Sequence, residues 1–174
     1  MIVAGLDIAT ATGVCLGKPG HTPRFWTEDL GQGLSYDQRF ANALRLTHRL
    51  ISKEGVTFIG IEAPIIVHKR DKKSTNELLM GLVAAVRGWA NMKGVDCRTF
   101  EVETIDKHFL GHRIKGRETR KAAILSRCRQ LRWSPRTEDE ADAGAVFDLC
   151  CSKLSRSHAV HTTPLMASAV RGVR

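Results

Sequence analysis

The chain has 174 residues and a mass of 19.3 kDa, which is enough for one well-buried domain and short for two. Hydrophobic residues make up 43% and charged residues 26%, a balance that excludes a disordered or fibrous chain, and no run nears the roughly 18 apolar residues of a membrane span. The net charge of +9 is unevenly placed: residues 107 to 136 carry ten Lys and Arg against one acid, Glu118, whereas the remainder holds seventeen of each sign. Taken alone, such a segment fits either a solvated helix face or a polyphosphate partner whose counterions are released on binding. The N-terminal MIVAGLDI lacks the pattern of a secretory signal, so a cytoplasmic protein is expected. Five cysteines, Cys15, Cys97, Cys128, Cys150 and Cys151, form neither an even set nor a CxxC pair and read as reduced core residues.

Residues 2 to 8 and 13 to 17 read as short apolar strands joined by the small residues ATAT, and 23 to 28 as a third strand. Ser35 and Gln38 form a capping-box pattern ahead of a helix to about Glu54, with Phe40, Leu44, Thr47 and Ile51 on one face. Residues 56 to 62, VTFIGIE, read as a buried strand that ends in a carboxylate. A basic loop follows. Ser74 and Glu77 suggest a second capping box for a helix to about Met92, and Gly94 precedes a strand at 95 to 102. A short helical turn at 104 to 110 leads to a basic helix at 117 to 131. Thr137 and Glu140 form a third capping box before the last helix, and a weakly ordered basic tail is expected over 155–174, beyond a domain at 1–154. Three strands, helix, strand, helix, strand and then helices predict an α/β protein with a mixed sheet.

The chemistry is carried by acids. Asp7 and Glu62 each close an apolar strand, where a carboxylate is costly unless paired or bound to metal. In DEAD, residues 139–142, the i, i+3 spacing places Asp139 and Asp142 on one helix face. Acids also favour a helix N-terminus for its dipole, which accounts for Glu138 and Asp139 but poorly for the deeper Asp142. Four converging carboxylates repel one another unless cations neutralise them, and oxygen-only ligation suits Mg²⁺ or Mn²⁺. Two such ions can activate a water and stabilise both oxygens of a phosphodiester displacement.

Through GLDIATATGVCLG at 5–17, GIEAP at 60–64, LGHRIKGRETRKAAI at 110–124 and DEADAGAV at 139–146, the chain resembles the RuvC family of Holliday-junction resolvases over about residues 1 to 151. The resemblance implies an RNase H-like fold with three antiparallel strands followed by parallel strands and helices on both faces. It further implies a homodimer, two Mg²⁺ per site with Mn²⁺ as a substitute, and nicking of four-way junctions in recombination and repair. The family's acidic positions fall on Asp7, Glu62, Asp139 and Asp142, and its basic residue at the scissile phosphate on Lys121, with Arg120 the rival alignment. Where cellular members place an aromatic wedge, this chain has Ile65 after Pro64, as in a divergent phage-type member. An apolar side chain can still unstack bases, though less well than a ring.

Lys69, Arg70, Lys72, Lys73, Lys115, Arg117, Arg120 and Lys121 are the expected DNA contacts. The helix from Ser74 to Met92 is the expected dimer interface, because Leu78, Leu79, Leu82, Val83, Val86 and Trp89 exceed one core face, with a broad core face as the alternative. His108 and His112 read as phosphate contacts or spectators rather than metal ligands, and His158 and His161 as tail residues. An actin-like sugar kinase, which shares the GLDIATATG hairpin, needs two such domains around a nucleotide, so no nucleotide cofactor is expected. A flap, fork or branch nuclease of the same fold and a catalytically inactive branched-DNA-binding protein are the remaining alternatives. The four carboxylates argue against the latter.

Overall fold

A computed structural model describes residues 1–65 and 73–162 of the chain. Five strands, β1 (Val3–Asp7), β2 (Ala11–Gly17), β3 (Arg24–Asp29), β4 (Phe58–Glu62) and β5 (Asp96–Phe100), form one sheet in the order β3-β2-β1-β4-β5. The β1–β2 and β2–β3 pairs are antiparallel, and β1–β4 and β4–β5 are parallel, as the mixed sheet predicted. The first hairpin is tighter than expected. Strand β2 begins at Ala11, and buried Thr12 turns its hydroxyl onto the Ala9 carbonyl at 2.7 Å, so half of ATAT belongs to the ladder.

Strand alternation divides the core between two faces. Ala4, Leu6, Val14, Leu16, Ile59 and Ile61 face helices α1 (Tyr36–Ser52) and α2 (Lys73–Met92). Val3, Cys15 and Phe58 face α3 (Val102–Leu110), α4 (Arg117–Gln130) and α5 (Glu138–Leu154). Trp133 anchors the second face, packing against Phe25, Phe109 and Phe147. Cys15, Cys128, Cys150 and Cys151 are buried and free, and Cys97 is partly buried.

Helix α1 starts as read, with Ser35 and Gln38 closing a reciprocal capping box. Its buried face is Ala43, Leu46, Thr47 and Leu50, turned slightly from the expected stripe, so Phe40 and Ile51 flank the core rather than centre it. Helix α2 begins at Lys73, which puts Ser74 inside its first turn. Of the six residues expected at an interface on α2, Leu78, Leu82, Val83 and Val86 are at most 8% exposed and fill the protein's own core, which is the alternative core-face reading, while Leu79 and Trp89 are half-buried. The apolar excess arises because α2 packs on both the sheet and α1. Among the described residues no helix is long and apolar enough to cross a membrane.

The chain beyond Leu154 differs from expectation over its first turns. Helix α6 (Arg156–Thr162) packs on α5, and His158 is 2% exposed. An imidazole bonded to buried Asp148 and to the Gly20 amide of a surface turn holds these first turns where composition predicted a loose tail.

Candidate active site

Asp7 and Glu62 share the strand parity of Val3 and Phe58, so alternation turns both toward the α5 face. Parallel pairing of Leu6 with Ile61 sets the two acids side by side at the carboxyl ends of β1 and β4. Helix α5 crosses above them at unusually short range. A Cβ at Gly5 would stand 2.3 Å from the Ala143 carbonyl oxygen, and one at Gly13 would stand 1.9 Å from that of Asp139. These missing side chains, opposite the small residues Ala141, Ala143 and Gly144, let the first turns of α5 rest on the sheet. Gly13 is also the ladder partner of Asp7, so the same approach brings Asp139 over Asp7.

The N-terminus of α5 is capped by the Thr137 hydroxyl, which accepts from the Glu140 amide at 3.1 Å. Glu140 does not complete the expected reciprocal box. Its buried carboxylate accepts from the Arg136 amide at 2.7 Å and from the Thr27 hydroxyl at 3.2 Å, tying α5 to β3.

The four expected acids influence one another. Burial, then repulsion from Glu62, Asp142 and Asp139, holds Asp7 well above the ordinary carboxylate range. Burial pushes Asp142 up to about 7 despite the attraction of Arg120, and burial raises Glu62 against the same opposing cation. Asp7, Glu62 and Asp142 thus resist ionisation together and gain from a cation. Oxygen-only donors of this kind fit Mg²⁺ or Mn²⁺. Among the described residues, however, no three His, Cys, Asp or Glu side chains are gathered closely enough to hold an ion as they stand.

The expected basic residues separate into distinct roles. Arg120 is not on the open face of α4. It donates from Nη1 to Asp142 and from Nη2 to Glu62, both at 3.0 Å, and from Nε to Asp106 at 2.7 Å. Burial opposes its charge, yet the three carboxylates raise its pKa on balance. Lys121 pairs with Glu138, a hydrogen bond that raises its pKa. Lys115 and Arg117 are exposed at the start of α4. Lys69, Arg70 and Lys72 lie outside the described residues, and of Lys73 only its place at the start of α2 is described. Ile65 is 67% exposed just beyond Glu62.

Two buried acids were missed by the sequence reading. Asp106, 1% exposed on α3, gives no sequence signal beyond its apolar neighbour Ile105. Asp148 stands in the apolar stretch AVFDLCC, which is the same signal that singled out Asp7. It accepts from Nε2 of His108 and Nε2 of His158, each at 2.8 Å. His108, half-buried, is thereby held against α5 through Asp148. Arg127, counted in the basic segment, is only 7% exposed, so its charge also belongs to the interior.

The arrangement of strands and helices around these acids is that of known junction-resolving nucleases. A Thermus thermophilus RuvC structure aligns with a TM-score of 0.64 and 17% identity, covering 84% of this chain and 91% of that one. T. thermophilus RuvC in complex with a Holliday junction substrate aligns with a TM-score of 0.67 and 12% identity, covering 89% and 96%. The yeast mitochondrial Holliday junction resolvase aligns at 0.61 with 9% identity, covering 90% and 82%. The chain has the RNase H-like fold of these proteins. No protein-family model and no curated protein sequence matches it.

Proposed function

We propose that this protein is a structure-selective DNA endonuclease that nicks four-way junctions with the help of divalent cations. The observation that carries this reading is the gathering of Asp7, Glu62 and Asp142, with Asp139 beside them, at one end of a resolvase-like sheet, next to the basic start of α4. In such a site Mg²⁺ or Mn²⁺ supplies an activated water and stabilises the oxygens of the in-line displacement. Asp7, Glu62, Asp139 and Asp142 would hold the cation. Lys121, largely buried and paired with the more exposed Glu138, is the cation that acts at the scissile phosphate.

Lys115 and Arg117 meet the phosphate backbone, together with Lys69, Arg70, Lys72 and Lys73. Ile65, exposed three residues after Glu62, unstacks bases at the branch. Paired nicks at symmetry-related positions of a four-way junction call for a two-fold dimer, which supplies two identical sites at a fixed separation.

The decisive experiment presents labelled four-way, three-way, flap and linear duplex DNAs to the protein with and without Mg²⁺, with light scattering on the same samples. Symmetric nicks in the four-way junction, dependent on Mg²⁺ and made by a dimer, are expected. Cleavage confined to flaps by a monomer would move the assignment to a flap nuclease. Junction binding without any cleavage would make it a non-catalytic binding protein.

A further inference from the structure

Arg120 is the only residue seen to bond three carboxylates at once among those described around the site, and each of its nitrogens has a different partner. Nη1 and Nη2 take oxygens of Asp142 and Glu62, which are two of the four acids proposed to hold a divalent ion. Nε, on the stem side of the guanidinium, takes Asp106, which lies outside that set. The arrangement is largely closed to water, with the Arg120 side chain 13% exposed, Glu62 12%, Asp142 7% and Asp106 1%.

We infer that Arg120 is a resident cation that a divalent ion must displace from Glu62 and Asp142, and that Asp106 is the positioning residue that retains the displaced guanidinium beside the site. The inference rests on the reading of the cluster as a divalent-cation site. Its physical basis is charge competition in a poorly solvated space. An ion and a guanidinium cannot share the same carboxylate oxygens, and their mutual repulsion is weakly screened where water is scarce.

Without any cation the buried acids would repel one another, so the metal-free protein needs Arg120 where it stands. When the ion arrives, the two outer nitrogens give up their partners while the Asp106 bond to Nε persists. An arginine left without Asp106 would be a buried unpaired charge, which is strongly unfavourable. Asp106 therefore lowers the energy of the cation-bound state. Arg120 sets the threshold for entering it.

The two residues consequently affect cation affinity with opposite signs, which a purely structural role would not produce. Mn²⁺ binding to the full chain, followed by the paramagnetic resonance signal of free Mn²⁺ at fixed pH and without DNA, reads this directly. Arg120→Gln is expected to bind Mn²⁺ at least roughly tenfold more tightly than wild type, because a repelling charge is gone. Asp106→Asn is expected to bind roughly tenfold more weakly, because an attracting charge and the retaining partner are both gone.

Arg120→Lys, with a charge but without the three-way fork, should fall between wild type and Arg120→Gln, and it serves if the Gln variant folds poorly. In a chelator the melting temperature of Arg120→Gln should drop and then recover with added Mn²⁺, more steeply than in wild type. Equal or weaker Mn²⁺ binding by both Arg120 variants, with wild type binding normally, would overturn the inference and leave the cation site standing. Failure of wild type and every variant to bind Mn²⁺ at millimolar concentration would overturn both.

Discussion

His158 donates from Nε2 to Oδ1 of Asp148 at 2.8 Å, and its Nδ1 accepts the Gly20 amide at 2.9 Å. One imidazole thus joins α6 to the middle of α5 and to the turn between β2 and β3. Asp148 is fully buried, and its other oxygen accepts from His108. Burial alone would push this carboxyl up, but the hydrogen bonds from His108 and His158 bring it below the ordinary value.

His158→Ala should therefore destabilise the protein by about 2 kcal/mol, the scale of a hydrogen bond to a charged group. Urea unfolding at pH 7 measures this, and an unchanged midpoint would show that α6 is not anchored through the imidazole. Because the folded-state pKa of Asp148 lies below its unfolded value, its contribution is complete above about pH 4 and is lost as the pH falls further. Asp148→Asn should flatten that acid limb of the stability curve.

Asp142 has the opposite sign. Its folded-state pKa is raised to about 7, so in the absence of divalent cations the unfolded chain releases the proton first. Stability falls as the pH rises from about 4 towards 7 and then levels. Asp142→Asn should remove this slope, keep or increase stability at pH 8, and reduce cleavage to background while leaving junction binding intact. A fully active Asp142→Asn protein would remove this residue from the site.

Gly13 tests the approach of α5 to the sheet. A methyl group there meets backbone at 1.9 Å, and neither a strand in the sheet nor a buried helix can yield cheaply. Gly13→Ala should cost at least about 3 kcal/mol, the upper end of overpacking penalties, and should lower cleavage more than DNA binding because Asp7 and Asp139 separate. Thermal unfolding and cleavage rates close to wild type would contradict that geometry.

Lys115 and Arg117 are exposed, just before and at the first residue of α4. Replacing both with Ala should weaken binding to every DNA shape about equally and lessen the slope of log affinity against log salt by roughly 2, about 0.9 for each phosphate no longer neutralised. Fluorescence anisotropy between 50 and 200 mM salt, roughly the span over which such ion pairs weaken, measures this. An unchanged slope would make these residues a solvated surface only.

Much of this architecture is legible along the chain because the signals are local. Alternation over five to seven residues marks the strands, a hydroxyl three residues from its amide marks the starts of α1 and α5, and a carboxylate closing an apolar run marks Asp7 and Glu62. These are interactions within one element, where spacing alone dictates which groups can meet. The same logic leaves α2 undecided, since six apolar residues on a helix do not state whether one core surface or a partner will cover them. It misjudged residues 155–162, whose composition is that of a loose tail while a buried imidazole holds α6 on α5.

What only the tertiary structure decided is the partnership of charges. Arg120 meets Asp106 across 14 residues and Glu62 across 58, and Lys121, one position later, turns to Glu138 instead. Adjacent positions on a helix point about 100° apart, so which basic residue enters the carboxylates depends on how α4 is rolled against α5. That roll is set by the packing of Ile124, Cys128 and Trp133 in the shared core. The sequence names the acids and the basic helix; only side-chain packing between distant segments determines which cation stands among them.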